Sequence, residues 1–123
     1  MTRVRPEVTL TPHEIARVAA TTAADALASD IQVLDLTALT PFFDVFVICT
    51  ADNTRQLRAV AAHITDALDE AGVDLRGIEG EAESGWIILD YGSVVIHLFT
   101  PEQRAYYHLE DHWAAAQRVL VIQ

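Results

Sequence analysis

A length of 123 residues with 51% hydrophobic content suits one folded domain built on a single core. Eight basic against eighteen acidic side chains, a formal net charge of −10, disfavour extensive direct contact with nucleic acid and favour a basic protein partner, beside the plainer role of keeping the chain soluble. No apolar run is long enough to span a membrane, no secretory signal follows Met1, and the lone Cys49 excludes an internal disulfide, so the expected location is the cytoplasm.

Met1 to Leu10 has little periodicity and is expected as a flexible lead-in, before a domain over residues 11–118 and a short tail over residues 119–123. Thr11-Pro12-His13-Glu14 reads as a helix start: Thr11 can cap, Pro12 suits the first helical position, and Glu14 completes a capping box. Ile15, Val18, Ala19, Thr22 and Ala26 follow at helical spacing, which predicts a helix ending near Ser29. Ile31 to Leu36 alternates as a strand does, and Phe42 to Thr50 is nearly continuous in β-branched and aromatic residues, as in a central strand covered on both faces.

Asp52 or Asn53 caps a second helix carrying Leu57, Val60, Ala61, Ile64, Leu68 and Ala71 on one side, and Gly72 ends it. Val73 to Ile78 is an extended piece leading into an acidic loop, and Trp86 to Phe99 reads as two strands joined at Tyr91-Gly92-Ser93. Tyr106, Tyr107, Leu109, Trp113 and Ala116 are expected on one last helix. The order α-β-β-α-β-β-β-α predicts a single α/β domain with a mixed sheet of about five strands flanked by helices.

The hairpin is the most informative stretch. Residues two apart share a face of a strand, so a two-residue turn at Tyr91-Gly92 or Gly92-Ser93 sorts the side chains into two sets. Ile87, Leu89, Val94, Ile96 and Leu98 form a uniformly apolar face that must be core. Trp86, Ile88, Asp90, Val95, His97 and Phe99 form the other, which mixes large apolar groups with an acid and an imidazole. A wholly solvated face would not hold Trp86 and Phe99, and a wholly buried one would not tolerate an unpaired Asp90. Trp86 fits either an interface anchor or a core tryptophan under a helix.

No catalytic constellation stands out. Cys49 reads as a small buried core residue. His108 and His112 have the i, i+4 spacing of some zinc sites but lack a third ligand. Glu79, Glu81, Glu83 and Asp90 lack a phosphate cradle to accompany magnesium, since the 50–54 segment contains no glycine. Arg55 and Arg58 read as solvated arginines near a helix start.

Gly77-Ile78-Glu79-Gly80-Glu81, then Trp86-Ile87, Asp90, Gly92, Val94 and His97, strongly resemble the ribosomal silencing factor family RsfS, also called Iojap-like. Arg104, Tyr107, Leu109-Glu110 and Trp113 continue the match, and Asp44 to Ala51 followed by Arg55 looks like the family's central strand and helix start. The similarity runs from Thr11 to Trp113, with two departures: Ser93 stands where the family commonly has Asp, and Asn53 where it commonly has Ser or Thr.

The resemblance implies a non-enzymatic regulator without a cofactor or metal, with a nucleotidyltransferase-like topology, often homodimeric when free. It implies binding to the large ribosomal subunit through its fourteenth protein, steric exclusion of the small subunit, and lowered translation when nutrients are scarce. Carried to this chain, the partner-binding residues are expected to be Trp86, Asp90, Tyr91, His97, Glu79, Glu81, Arg104 and Tyr107, with His97 favoured as a brace bonded to Asp90. Two other readings compete. A nucleotidyltransferase-like enzyme needs a pair of metal-binding acids that does not follow Gly92-Ser93, and a homodimeric scaffold module would pair the mixed hairpin face with itself.

Overall fold

The computed structural model describes residues 10–123, so the expected lead-in lies, apart from Leu10, outside the described residues. Helix α1 spans Pro12–Asp25 and starts as its sequence predicts: Thr11 accepts from the Glu14 amide, and the Glu14 carboxylate accepts from the Thr11 amide at 3.0 Å. It ends earlier than predicted. Leu27 adopts a left-handed φ of +68°, which turns the chain into strand β1 (Ser29–Asp35).

Strand β2 (Val45–Thr50) is buried along its whole length, and Asn53 caps helix α2 (Thr54–Glu70) by accepting from the Gln56 amide at 2.8 Å. Strands β3 (Gly77–Glu79), β4 (Trp86–Asp90) and β5 (Val94–Phe99) follow, with a 3₁₀ turn at Ala82–Ser84. Two short helices, α3 (Pro101–Tyr107) and α4 (Leu109–His112), lead to strand β6 (Gln117–Ile122).

Among the described residues the sheet has six strands in the order β3-β4-β5-β2-β1-β6, one more than predicted. Only β2 and β5 are parallel; every other neighbouring pair is antiparallel. The additional strand comes from the segment expected as a tail. Residues 119–122 belong to β6, where Leu120 pairs with Val33 and Ile122 with Ile31. Both side chains pack against the main core, so a β-branched, alternating run gains burial once β1 offers an edge.

The predicted last helix is also two pieces. His108 adopts a left-handed φ of +47° between α3 and α4, which separates His108 from the helix face that carries His112 and removes the i, i+4 geometry. Among the described residues no group of three or more His, Cys, Asp or Glu side chains is arranged to hold a metal ion. No helix among them is long and apolar enough to cross a membrane.

The two faces of the sheet are unequally covered. Helices α1 and α2 lie on one face, where Ala16, Ala19, Leu57, Val60, Ile64 and Leu68 meet Val47, Ile87, Leu89, Ile96 and Leu98. The other face carries a smaller cluster of Leu34, Phe46, Ile48, Val95 and Phe99, flanked by Phe43, Trp86, Ile88, Leu109 and Trp113. Among the described residues it is covered by α3, α4, the segment leading to β6 and Phe43 of the β1–β2 connection. A mixed hairpin sequence is resolved here by alternation: its uniform face is buried under helices, and its mixed face meets little regular structure.

Candidate partner-binding face

Gly92 and Ser93 form the two-residue turn, closed by the Tyr91 amide donating to the Val94 carbonyl at 2.9 Å. Gly92 takes a φ of +87°, the left-handed conformation glycine favours, and its amide donates to Asp90 Oδ1 at 2.8 Å. The resulting register places Trp86 opposite Phe99, Ile88 opposite His97 and Asp90 opposite Val95. All six side chains of the mixed set therefore share one face, as alternation requires.

Trp86 is half-buried, not free. Its ring stacks on Phe99 at 4.9 Å and meets Tyr107 at 4.5 Å. Its indole N–H donates to His97 Nδ1 at 3.2 Å. This corrects the expected role of His97: it braces Trp86 and not Asp90, whose carboxylate is occupied at the turn. Register alone does not choose, since His97 sits opposite Ile88, midway between Trp86 and Asp90; the Gly92 amide holds Asp90 at the turn, and the indole N–H reaches the ring.

The bond also sets the His97 tautomer. Nδ1 accepts, so the ring proton of the neutral form sits on Nε2, which is buried and makes no hydrogen bond within the described structure. His97 is 6% exposed and edge-on to Phe46 at 4.6 Å, and burial lowers its pKa to about 4.

The folded value lies below the ordinary 6.5, so the unfolded chain binds the extra proton first as pH falls. The contribution of neutral His97 is fully present above pH 6.5 and is lost as pH falls from there towards 4. We expect stability to fall by up to about 1.4 kcal/mol per pH unit across that window from this group. Protonation also places a hydrogen on Nδ1, which cannot then accept from Trp86. Urea midpoints and tryptophan fluorescence between pH 7 and pH 4 check this, and a His97→Gln chain with an equally steep pH slope would contradict it.

Beside His97 a groove of about 210 Å³ is lined by Phe43, Phe46, Glu79, Ile88, Asp90 and Val95. Glu79 reaches it because it pairs with Ile88, which puts its side chain on the mixed face. Gly80 follows in a left-handed φ of +80°, and an added Cβ there would collide with the Trp86 carbonyl oxygen. This close approach ties the acidic loop to the start of β4.

The structure thus brings together Trp86, Asp90, His97, Glu79 and Tyr107, and it places the other three candidates elsewhere. Tyr91 is turned into the core beneath α1 and α2, 6% exposed, with its hydroxyl pushed up to about 12 by burial and by the nearby Asp69 charge. Glu81 lines a separate crevice on the helical side with Ala61, Ile87 and Leu89. Arg104 is buried at 6% exposure and bonds inward, to Glu110 Oε1 at 2.9 Å and to Asp30 O and Thr50 Oγ1 at 2.8 Å each.

Two exposed aromatics escaped the sequence reading: Phe42 at 80% and Tyr106 at 76% exposure. Phe42 was assigned to the central strand, yet β2 begins only at Val45. Tyr106, edge-on to Tyr107 at 5.0 Å, was read only as one residue of the last helix. Cys49 behaves as read: 1% exposed, with burial pushing its thiol up to about 12, it stays protonated.

This sequence and this fold have counterparts among known proteins. The family model described as "Ribosomal silencing factor during starvation" matches residues 9–123. The ribosomal silencing factor RsfS of Bacillus subtilis is 37% identical over 102 residues, which are 83% of this chain and 86% of that protein. The "Mitochondrial assembly of ribosomal large subunit protein 1" of Mus musculus is 35% identical over 89 residues, covering 70% of this chain and 39% of its own. A crystal structure of a Chromobacterium violaceum protein superposes with a TM-score of 0.82 at 36% identity, covering 85% of this chain and 88% of that one. With sequence, fold and hairpin in agreement, the chain belongs to the RsfS family of ribosomal silencing factors.

Proposed function

We propose that this chain binds the large ribosomal subunit through its fourteenth protein and sterically blocks the small subunit, repressing translation under nutrient limitation. The observation that carries the reading is the sparsely roofed face of the hairpin. It presents Trp86 and Tyr107 beside a groove edged by Glu79 and Asp90. A rigid aromatic anchor with an acidic rim is the arrangement that recognises a basic protein surface. The net charge of −10 supports a basic protein partner over bare nucleic acid. The name of the mouse relative, which concerns assembly of the mitochondrial ribosomal large subunit, supports the same particle.

No chemistry is assigned to this face; its work is occlusion in the cytoplasm, without a catalytic step. When free, the chain is proposed to pair with itself through the same apolar patch and to exchange that contact for the ribosomal one. Sedimentation with purified ribosomal subunits tests the proposal. The protein should travel with isolated large subunits, be absent from joined ribosomes, and lower the joined fraction when added first. Co-sedimentation with joined ribosomes, or with small subunits alone, would refute it. Light scattering before and after adding the purified fourteenth protein reads the exchange of partners.

A further inference from the structure

The second concave feature lies at the carboxyl ends of the parallel strands, away from the hairpin turn. From Thr50 at the end of β2 the chain passes into α2 on the main-core face. From Phe99 at the end of β5 it passes into α3, whose Tyr107 lies against Trp86 on the opposite face. Parallel neighbours whose connections leave to opposite faces open a crevice, and α/β sheets bind ligands at such switch points. Here the crevice is a cleft of about 410 Å³ whose polar lining includes Asp30, Thr50, Asp52, Arg104, His108 and Glu110. That volume suits a small molecule.

Its buried charges are incompletely matched. The Nε and Nη2 groups of an arginine share one edge of the guanidinium and normally meet both oxygens of a carboxylate. Glu110 Oε1 takes the Arg104 Nε proton at 2.9 Å, but Arg104 Nη2 and Glu110 Oε2, both buried, make no hydrogen bond among the described residues. The nearest charge recorded for Nη2 is Asp30 Oδ2 at 3.6 Å. Leaving buried donors and acceptors unmet is costly unless another molecule completes them. Asp30 and His108 also hold left-handed φ values of +49° and +47°, strain that the surrounding contacts must sustain.

We propose that this cleft binds a small zwitterion of the free α-amino-acid class, its carboxylate facing Arg104 and its ammonium facing Asp52, with Asp30 and Glu110 alongside. The charge pattern selects this class. Three carboxylates around one guanidinium repel a nucleoside triphosphate, and no glycine loop offers amides to phosphate. A simple polyamine leaves Arg104 unmet, and a simple carboxylate leaves the acids unmet. A zwitterion meets both.

Calorimetry and thermal melting with each of the twenty standard amino acids at millimolar concentration test it, with ATP and spermidine as the comparison ligands. At least one amino acid should bind and raise the melting temperature. Asp52→Asn, an exposed change at the cleft edge, should weaken that binding by roughly tenfold while the melting temperature without ligand stays unchanged. Silence from every amino acid, tighter binding of ATP or spermidine, or an undiminished response in Asp52→Asn would overturn the proposal. Large-subunit binding is read in a separate assay, so its failure would count against the ribosomal proposal alone.

Discussion

Trp86→Ala should lose large-subunit binding by roughly thirty-fold or more, the range of an interface hot spot. The indole is the largest ring on the hairpin face, at its open end, held by Phe99, Tyr107 and His97. Those contacts mean the change is not purely a surface one. Removing the ring also strips packing from Phe99 and the donor from His97 Nδ1, with a stability cost of roughly 1–3 kcal/mol. Binding must therefore be measured well below the variant's melting temperature.

Two companions separate anchor from scaffold. Trp86→Phe keeps an aromatic against Phe99 and Tyr107 but cannot donate to His97. Glu79→Lys leaves the ring packing alone and reverses one charge at the groove. The lysine variant should bind mainly with a slower on-rate and a reduced salt dependence. If folded Trp86→Ala chain binds large subunits as wild type does, this face is not the ribosomal surface.

Arg104→Ala should be the most destabilising single change at a charged position, at about 3–5 kcal/mol, because it leaves Glu110 buried without its counter-charge. It also frees the Asp30 carbonyl and the Thr50 hydroxyl, and so loosens α3 from the ends of β1 and β2. Since α3 ends at Tyr107, the loss should spread to the Trp86–Tyr107 contact and weaken partner binding indirectly.

Urea denaturation measures the cost, and replacing Arg104 and Glu110 together by methionine should recover much of it, since no charge is then stranded. A loss below about 1 kcal/mol for Arg104→Ala would show that the network contributes little, as exposed ion pairs do. The surface pair Arg58–Glu83 offers that comparison within the same chain, because both side chains are mostly exposed.

How far the sequence could be read differs element by element. The capping box at Thr11 and Glu14 and the Asn53 cap were legible because capping is a contact over three or four residues. The two faces of the hairpin were legible because alternation is a local property and Gly92 marks the turn. The end of α1 was less so: Leu27, an ordinary helix former, is held in a left-handed conformation that its residue type disfavours. The break at His108 gives as little local warning, since neither glycine nor proline marks it.

Composition and pattern by themselves determined the class of the molecule: an acidic α/β domain whose hairpin has one core face and one mixed face. Pattern also singled out Trp86, Asp90 and His97 on the mixed face, and the resemblance to the silencing-factor family added Glu79, Glu81, Tyr91, Arg104 and Tyr107. Tertiary structure alone decided which candidates meet. Arg104 became an internal brace, and His97 bonded to Trp86 in place of Asp90. It also made residues 119–122 part of a sixth strand. The physical reason is common to all three. Caps, turns and alternation are fixed by neighbours in the chain, whereas an ion pair, a ring hydrogen bond or an edge pairing depends on which distant segment arrives alongside.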